Sequence, residues 1–137
     1  MEYLAITADA SVARARLGRV MRDRYNLERV QDQQMRDGLT QLPTRHAFLT
    51  RLETEWLRAT ASESALSLVL LNLDDFKAYN RAHGYLSGDR CLVQIANRLN
   101  TWVRGPSDLL VRFGGNEFIL FLPFATYEEA ITVGAEL

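Results

Sequence analysis

Two glycines followed by an amide and an acid lie between two mainly apolar runs, residues 109–113 and 118–122. These four residues are Gly114, Gly115, Asn116 and Glu117. The pattern predicts a β-hairpin with a short Gly-rich turn. Glycines at a hairpin tip adopt positive φ readily and let a ligand approach the backbone closely. Taken alone, the same residues also suit an ordinary turn that binds nothing.

A second polar group follows the longest apolar run of the chain. Residues 66–73 are almost continuously apolar, as expected for a central strand that is covered on both faces. Behind this run, Asp75 is expected to cap a short helix over residues 76–83. The free N–H groups of that helix and the charge of Lys77 suit a phosphate, and Asp74 and Asp75 suit Mg²⁺. A plain helix cap and a solvated lysine explain the same residues without any ligand.

An amide and a carboxylate stand further along the chain, at Asn80 and Asp89. Held near each other, such a pair can read guanine. The carboxylate accepts from N1–H and the exocyclic amine, and the amide donates to O6 or N7. The structural alternatives are that Asn80 satisfies the end of a short helix and that Asp89 caps a new helix after Gly88.

The elements that must position these residues follow from periodicity and from chain breakers. Thr44 is expected to cap a helix over residues 44–59, which ends at a polar break over residues 61–64. A further helix is expected over residues 88–103, with apolar side chains at helical spacing towards the core, and a last helix begins near Tyr127. Strand, helices, hairpin and helix in this order predict an α/β or α+β sheet that is covered by helices.

The two ends of the chain carry weaker patterns. Residues 9–36 are predicted to form one long polar helix, and residues 3–7 a short strand before it. Leu17, Val20 and Leu27 follow a partial heptad, which suits a weak coiled coil or signalling stalk, and equally a solvated surface helix. Because the last helix is still running at the end of the sequence, we expect a missing strand and an open sheet edge.

The composition narrows the class of partner. Among 137 residues, 16 basic and 17 acidic side chains give a net charge of −1. That balance gives no electrostatic reason to expect nucleic acid or anionic lipid. Hydrophobic residues make up 47%, and the single Cys91 indicates a reducing compartment. With no signal peptide and no bilayer-length run, we expect a cytoplasmic chain or the cytosolic part of a larger membrane protein.

In this order, the motifs resemble the GGDEF (diguanylate cyclase) domain family. The resemblance implies a nucleotidyl-cyclase-like α+β sandwich with a central, mainly antiparallel sheet. It divides the chain into an N-terminal helical stalk or linker, residues 1–36, and a C-terminally incomplete GGDEF-like domain, residues 37–137. The residues that carry it are DGLT at 37–40, NLDDFK at 72–77, Asn80, Gly84, Gly88, Asp89 and RFGGNEF at 112–118.

Members of this family join two GTP molecules into cyclic di-GMP, with one GTP on each subunit of a homodimer. Two Mg²⁺ or Mn²⁺ ions polarise the phosphates and help to activate the attacking hydroxyl. The resemblance assigns the metal positions to Asn72, the carbonyl group of Leu73 and Asn116. It assigns the catalytic turn to Asn116 and Glu117, and nucleotide binding to Phe76, Lys77, Asn80, Asp89, Gly114 and Gly115.

Two of the acids that the family uses are amides in this sequence. Asn72 stands at the strand aspartate and Asn116 at the acid of the turn, and each offers one neutral oxygen. Hard cations depend on negative charge, and an amide takes no proton from an attacking hydroxyl. We therefore expect metal binding to be weak or absent. Asp74, two residues beyond Asn72 on the same strand face, is a candidate replacement ligand.

Two functions follow from these departures. The first is a catalytically silent module of cyclic di-GMP signalling that binds GTP, forms a homodimer and acts on an attached or partner signalling domain. The alternative is a working diguanylate cyclase in which Glu117 and Asp74 replace the lost ligands. Feedback binding of cyclic di-GMP is not expected. The Arg-x-x-Asp site of the family keeps Asp108, but Gly105 stands at its arginine position and Arg104 is one residue out of register.

Overall fold

A four-stranded antiparallel sheet forms the centre of the molecule. The computed structural model describes residues 2–7 and 35–137. The strands are β1 (Glu2–Thr7), β2 (Leu66–Asn72), β3 (Leu109–Arg112) and β4 (Glu117–Pro123). Their order in the sheet is β1-β2-β4-β3, and each neighbouring pair is antiparallel. This arrangement confirms the α+β prediction.

Helices connect the strands and cover both faces of the sheet. Those in the described part of the chain are α1 (Arg45–Ser62), α2 (Phe76–His83), α3 (Tyr85–Asn100) and α4 (Tyr127–Glu136). None of these helices within residues 35–137 combines the length and the apolar character that crossing a bilayer requires. The fold thus follows the predicted element order, with differences at several boundaries.

The sheet buries an apolar layer on each face, which explains the continuous apolar sequence of β2. Val69 and Leu71 belong to one layer, and Leu66 and Leu68 belong to the other. This alternation is what a strand with two covered faces requires. The helical residues buried in the first layer are Leu92, Ala96, Leu99 and Ala130. Those buried in the second layer are Phe48, Leu52 and Ala59 of α1.

The start of the hairpin turn is fixed to α1 by aromatic packing. Phe48 lies edge-on to both Phe121 and Phe113, with ring centroids 5.6 and 6.1 Å apart. The guanidinium group of Arg45 lies over the Phe113 ring, 5.1 Å from its centroid. Because Phe113 immediately precedes the two glycines, these contacts hold the turn in place against the helix.

The strand predicted over residues 3–7 is present as β1. β1 pairs with β2 along its whole length, from Glu2 opposite Asn72 to Thr7 opposite Ser67. This pairing leaves β1 and β3 as the outer strands of the described sheet, and the further strand expected beyond the last helix stays a prediction. The long helix predicted over residues 9–36 lies mostly outside the described residues. Its last position, Arg36, is not helical and forms an isolated bridge with Pro43.

The bounds of two helices and one predicted cap differ from the predictions. α1 does not stop near residue 59 but continues to Ser62, because the alanine, serine and threonine residues of its last turn tolerate a helix. Asp75 precedes α2 but forms no side-chain cap, because its φ of 51° is left-handed rather than extended. α3 begins at Tyr85 and not at Asp89, because Gly84, with φ 84°, joins it directly to α2.

Candidate functional site

The end of β2 meets the hairpin turn at three hydrogen bonds. The side-chain nitrogen Nδ2 of Asn116 donates to Oδ1 of Asn72 at 2.7 Å and to the carbonyl oxygen of Leu73 at 3.0 Å. The backbone N–H of Leu73 donates in return to the carbonyl oxygen of Asn116 at 3.1 Å. The structure thus brings together the three residues at which the family resemblance places its metal ligands.

The orientation of the Asn116 amide follows from its partners. A backbone carbonyl can only accept a hydrogen bond, so the group 3.0 Å from the Leu73 oxygen must be the NH₂ group. With that NH₂ group also 2.7 Å from Asn72, the atom that Asn72 presents must be its oxygen. Both side-chain protons of Asn116 are therefore directed at oxygen atoms of the strand end.

This set of groups does not fit a pair of hard divalent ions. Asn72 contributes a neutral oxygen, and Asn116 directs a donor, not an acceptor, towards the Leu73 carbonyl. Among the side chains described in residues 35–137, no three or more His, Cys, Asp or Glu residues cluster in a way suited to a metal ion. Mg²⁺ prefers oxygen ligands with negative charge in an octahedral arrangement.

The replacement ligand predicted at Asp74 is not supported by its position. β2 ends at Asn72, and Asp74 lies in the turn that follows, so strand alternation does not place the two side chains on one face. Glu117 has a different relation to the site, because its Cα is paired with that of Asn72 across β2 and β4. Its Oε2 atom lies over the turn, 3.0 Å from where a Cβ on Gly114 would stand.

The glycine turn is closed by its own backbone and braced by an arginine. The N–H groups of Phe113 and Gly114 both donate to the carbonyl oxygen of Glu117, at 2.9 and 3.3 Å. The guanidinium group of Arg112 donates to the carbonyl oxygen of Gly115 from Nη2 at 2.8 Å and from Nε at 3.3 Å. The turn is therefore a fixed structure in which Gly115 is exposed to solvent.

Arg112 also reaches the loop that leads into α1. Its Nη1 atom lies 2.9 Å from Oδ1 of Asp37. The same carboxylate oxygen accepts from the backbone N–H and the hydroxyl group of Thr40, at 2.8 and 2.7 Å. Burial raises the pKa of Asp37, but the hydrogen bonds from Thr40 and Arg112 outweigh it, so the pKa lies below its usual value.

The predicted guanine-reading residues lie on α2 and α3. Asn80 packs directly over Gly88, so that a Cβ on Gly88 would clash with Asn80 Oδ1 and lie 3.3 Å from the Phe76 ring. This Oδ1 atom is buried, and it has no hydrogen-bond partner among the described residues. Lys77 and Asp89 are exposed on the same pair of helices. The structure thus places Asn80 next to Gly88, the residue that precedes Asp89.

The segment before the hairpin that carries Asp108 has a structural role of its own. Oδ2 of Asp108 accepts from the backbone N–H groups of Arg104 and Gly105, at 3.1 and 2.7 Å. The guanidinium group of Arg104 lies over the Trp102 ring, 4.9 Å from its centroid. Asp108 also lines a cavity of about 400 Å³ that Arg36 borders and that includes none of the positions that the family resemblance assigns to metal or nucleotide.

Two contacts at the site were not predicted from the sequence. The pairing of Asp37 with Arg112 joins two segments that are 75 positions apart. The close approach of Gly88 to Asn80 was missed because Gly88 was interpreted only as the residue before a helix cap. The opposite charges of Asp37 and Arg112 were a signal for the first contact. For the second, the signal was that Asn80 and Gly88 are eight residues apart on either side of the helix break at Gly84.

The sequence matches one family model, described as Diguanylate cyclase, GGDEF domain, over residues 34–136. Diguanylate cyclase DgcP of Pseudomonas aeruginosa is 39% identical over 103 residues, which are 75% of this chain and 15% of that protein. The bifunctional diguanylate cyclase/cyclic di-GMP phosphodiesterase MucR of the same species is 32% identical over 132 residues, which are 96% of this chain and 18% of that protein. The chain thus spans a small part of either relative.

Solved structures give the same result for the architecture. The GGDEF domain of DgcB from Caulobacter crescentus, in complex with c-di-GMP, superposes with a TM-score of 0.72 at 28% identity. The superposition covers 80% of this chain and 61% of that chain. Diguanylate cyclase SiaD from Pseudomonas aeruginosa, in complex with its activator SiaC, gives a TM-score of 0.69 at 38% identity. It covers 90% of this chain and 47% of that chain.

Proposed function

The chain belongs to the GGDEF (diguanylate cyclase) domain family, and from this membership we propose that it is a degenerate GGDEF domain of cyclic di-GMP signalling. In this proposal the domain makes no cyclic di-GMP. It binds GTP without a metal requirement and acts as a regulatory or dimerisation module on an attached or partner signalling domain. Its oligomeric form is a homodimer, as the family resemblance implies.

The observation that supports the loss of catalysis is the hydrogen-bonded pair Asn116 and Asn72. Replacing two carboxylates by amides removes two negative charges from beside two divalent ions. At intermediate dielectric this weakens the attraction by several kcal/mol, by an order-of-magnitude Coulomb estimate. The amide of Asn116 also cannot act as a general base, because it has no lone pair basic enough to take the hydroxyl proton.

The proposal of GTP binding rests on the residues of the site that lie on α2 and α3. Asn80, Lys77 and Asp89 keep the residue types that the family resemblance assigns to guanine and phosphate. Lys77 and Asp89 are exposed on α2 and α3, where a nucleotide can reach them. Because these contacts involve a carboxylate, an amide and an ammonium group, none of them needs a metal ion.

A second candidate function is a working cyclase that uses Glu117 as a ligand. The observation in its favour is the strand register, because Glu117 is paired with Asn72 across β2 and β4. Paired residues of neighbouring antiparallel strands project to the same face, so the carboxylate is near the strand end. One acid does not restore the charge of two, however, which is why we prefer the silent module.

Titration calorimetry with GTP tests the proposal. We expect micromolar binding that is the same with Mg²⁺ and with EDTA, and no heat with ATP, because Asp89 and Asn80 read the guanine edge. Asp89→Ala is expected to abolish binding. Gln94→Ala, an exposed substitution further along α3, is the matched control and should bind as the wild type does. Binding that requires Mg²⁺ would contradict the proposal.

A product assay separates the two candidate functions. The protein is incubated with GTP and Mn²⁺, and cyclic di-GMP is sought by mass spectrometry. The silent module predicts no product above a protein-free control. Product that is formed by the wild type and lost in Glu117→Gln would establish the cyclase instead. A chain that neither binds GTP nor makes product would retain only a dimerisation role.

A further inference from the structure

The side-chain amide of Asn116 has as many protons as it has acceptor oxygens nearby. Its NH₂ group has two protons, and two oxygens lie within hydrogen-bond distance of the nitrogen, Asn72 Oδ1 at 2.7 Å and the Leu73 carbonyl at 3.0 Å. The backbone bond from Leu73 N–H to the Asn116 carbonyl, at 3.1 Å, holds the same two segments in register. No donor of this side chain is left over for a ligand.

A carboxylate at position 116 would have the opposite property. An aspartate has no proton to offer at neutral pH, so its oxygens would face the lone pairs of Asn72 Oδ1 and the Leu73 carbonyl. Three oxygens that converge in this way repel one another unless a cation or a proton lies between them. The amide removes this need, because it supplies the positive hydrogen atoms from within the chain.

We infer that the amide of Asn116 takes the place of a divalent ion and clasps the glycine turn to the end of β2 by neutral hydrogen bonds. The turn then holds its conformation whether or not a metal is present, and a single aspartate at position 116 restores dependence on metal. This inference deepens the proposed function, since it concerns the same site. Its test uses metal ions alone, so a failure to bind GTP leaves it standing.

Thermal unfolding of the full chain in EDTA and in Mn²⁺ tests whether the Asn116 amide replaces a metal ion. Asn116→Asp is expected to lower the Tm in EDTA by about 5 °C, from the loss of satisfied hydrogen bonds. Mn²⁺ is expected to recover most of that loss in the variant and to leave the wild type unchanged. The control Asn97→Asp makes the same charge change at an exposed site on α3 and should show neither effect.

A second measurement does not depend on the variant being folded. Mn²⁺ is paramagnetic and broadens the NMR signals of groups close to it. In the wild type, the side-chain NH₂ signals of Asn116 and Asn72 are expected to stay sharp in Mn²⁺ and to exchange slowly with solvent for Asn116. Selective broadening of these signals would overturn the inference. Equal stability of Asn116→Asp and the wild type in EDTA would overturn it as well.

Discussion

Asp37 and Arg112 form an ion pair at 2.9 Å across 75 positions of sequence. Asp37 shapes the loop that leads into α1, and Arg112 supports the glycine turn through the Gly115 carbonyl. With its side chain only 14% exposed, Arg112 links the entry of the domain directly to the candidate site. The conformations of the loop and of the turn are therefore coupled through one guanidinium group.

Replacing Arg112 by lysine is expected to destabilise the domain. A lysine ammonium keeps the charge but cannot present three N–H groups in one plane to Asp37 and to the Gly115 carbonyl. We expect the free energy of unfolding in urea to fall by about 1.5–3 kcal/mol, the usual range for hydrogen bonds with a charged partner. Arg98→Lys, at an exposed position on α3, is the control and should change it little. An Arg112→Lys protein as stable as the wild type would show that the hydrogen bonds of Arg112 contribute nothing to the stability of the domain.

The same ion pair predicts how stability changes with acidity. The pKa of Asp37 lies below its usual value of 3.8, because hydrogen bonds from Thr40 and Arg112 outweigh the effect of burial. A carboxylate with a lowered folded pKa stabilises the fold above its unfolded pKa, and this contribution is lost as the pH falls through the folded value. The stability difference between the wild type and Asp37→Asn should thus be constant well above pH 3.8 and shrink below it.

Urea denaturation at a series of pH values measures this difference. Glu53→Gln, which removes an exposed carboxylate from α1, is the control and should give a small difference at every pH. A difference between the wild type and Asp37→Asn that widens on acidification would contradict the assigned direction of the pKa shift.

A methyl group on Gly88 is expected to weaken guanine recognition without unfolding the domain. The added Cβ would clash with Asn80 Oδ1, so the Asn80 carboxamide must rotate away, while the backbone can stay in place. We expect Gly88→Ala to lower GTP affinity at least about tenfold, which corresponds to about 1.4 kcal/mol and to the loss of one hydrogen bond. Calorimetry with GTP measures the effect.

The control for this substitution is another glycine whose Cβ direction is open. A Cβ on Gly38 meets nothing within 4 Å, so Gly38→Ala should bind GTP as the wild type does. If Gly88→Ala keeps full affinity while its circular dichroism is unchanged, Asn80 does not contact the nucleotide.

Most of the fold could be predicted because its signals are local. The apolar run of β2, the Thr44 cap and the glycine turn each depend on residues close in sequence, and each appears in the structure. The predicted cap at Asp89 failed because Gly84 allowed α3 to begin four residues earlier. Sequence patterns do not show whether the helix begins after Gly84 or after Gly88.

The candidate site was predicted as a set of positions but not as a set of contacts. The sequence shows amides, Asn72 and Asn116, at the two positions where the family resemblance implies acids. That the two amides bond each other, and that Arg112 reaches Asp37, depends on side-chain placement across the sheet. The pairing of β1 with β2 was likewise missed, because it joins residues about 65 positions apart and no local pattern selects the partner.

Restoring both acids is expected to create the metal site that the proposed function denies to the wild type. In the double variant Asn72→Asp with Asn116→Asp, two carboxylates and the Leu73 carbonyl converge, since the three groups are already within hydrogen-bond distance. We expect Mn²⁺ affinity to rise at least about 100-fold over the wild type, which corresponds to about 2.8 kcal/mol. Calorimetry with Mn²⁺ measures the affinity, and the melting curve in EDTA reports the repulsion between the acids.

The matched control converts two exposed amides of α3, Asn97 and Asn100, into aspartates and so changes the net charge equally. If this control gains as much Mn²⁺ affinity, the effect is one of overall charge. If the double variant at positions 72 and 116 gains none, the site has diverged beyond these two positions. Turnover of GTP is not part of the expectation, because the family resemblance also implies an Asp and a His at the positions where this chain has Arg81 and Tyr85. Metal binding without turnover would therefore place the first loss at the two amides and a second loss elsewhere in the site.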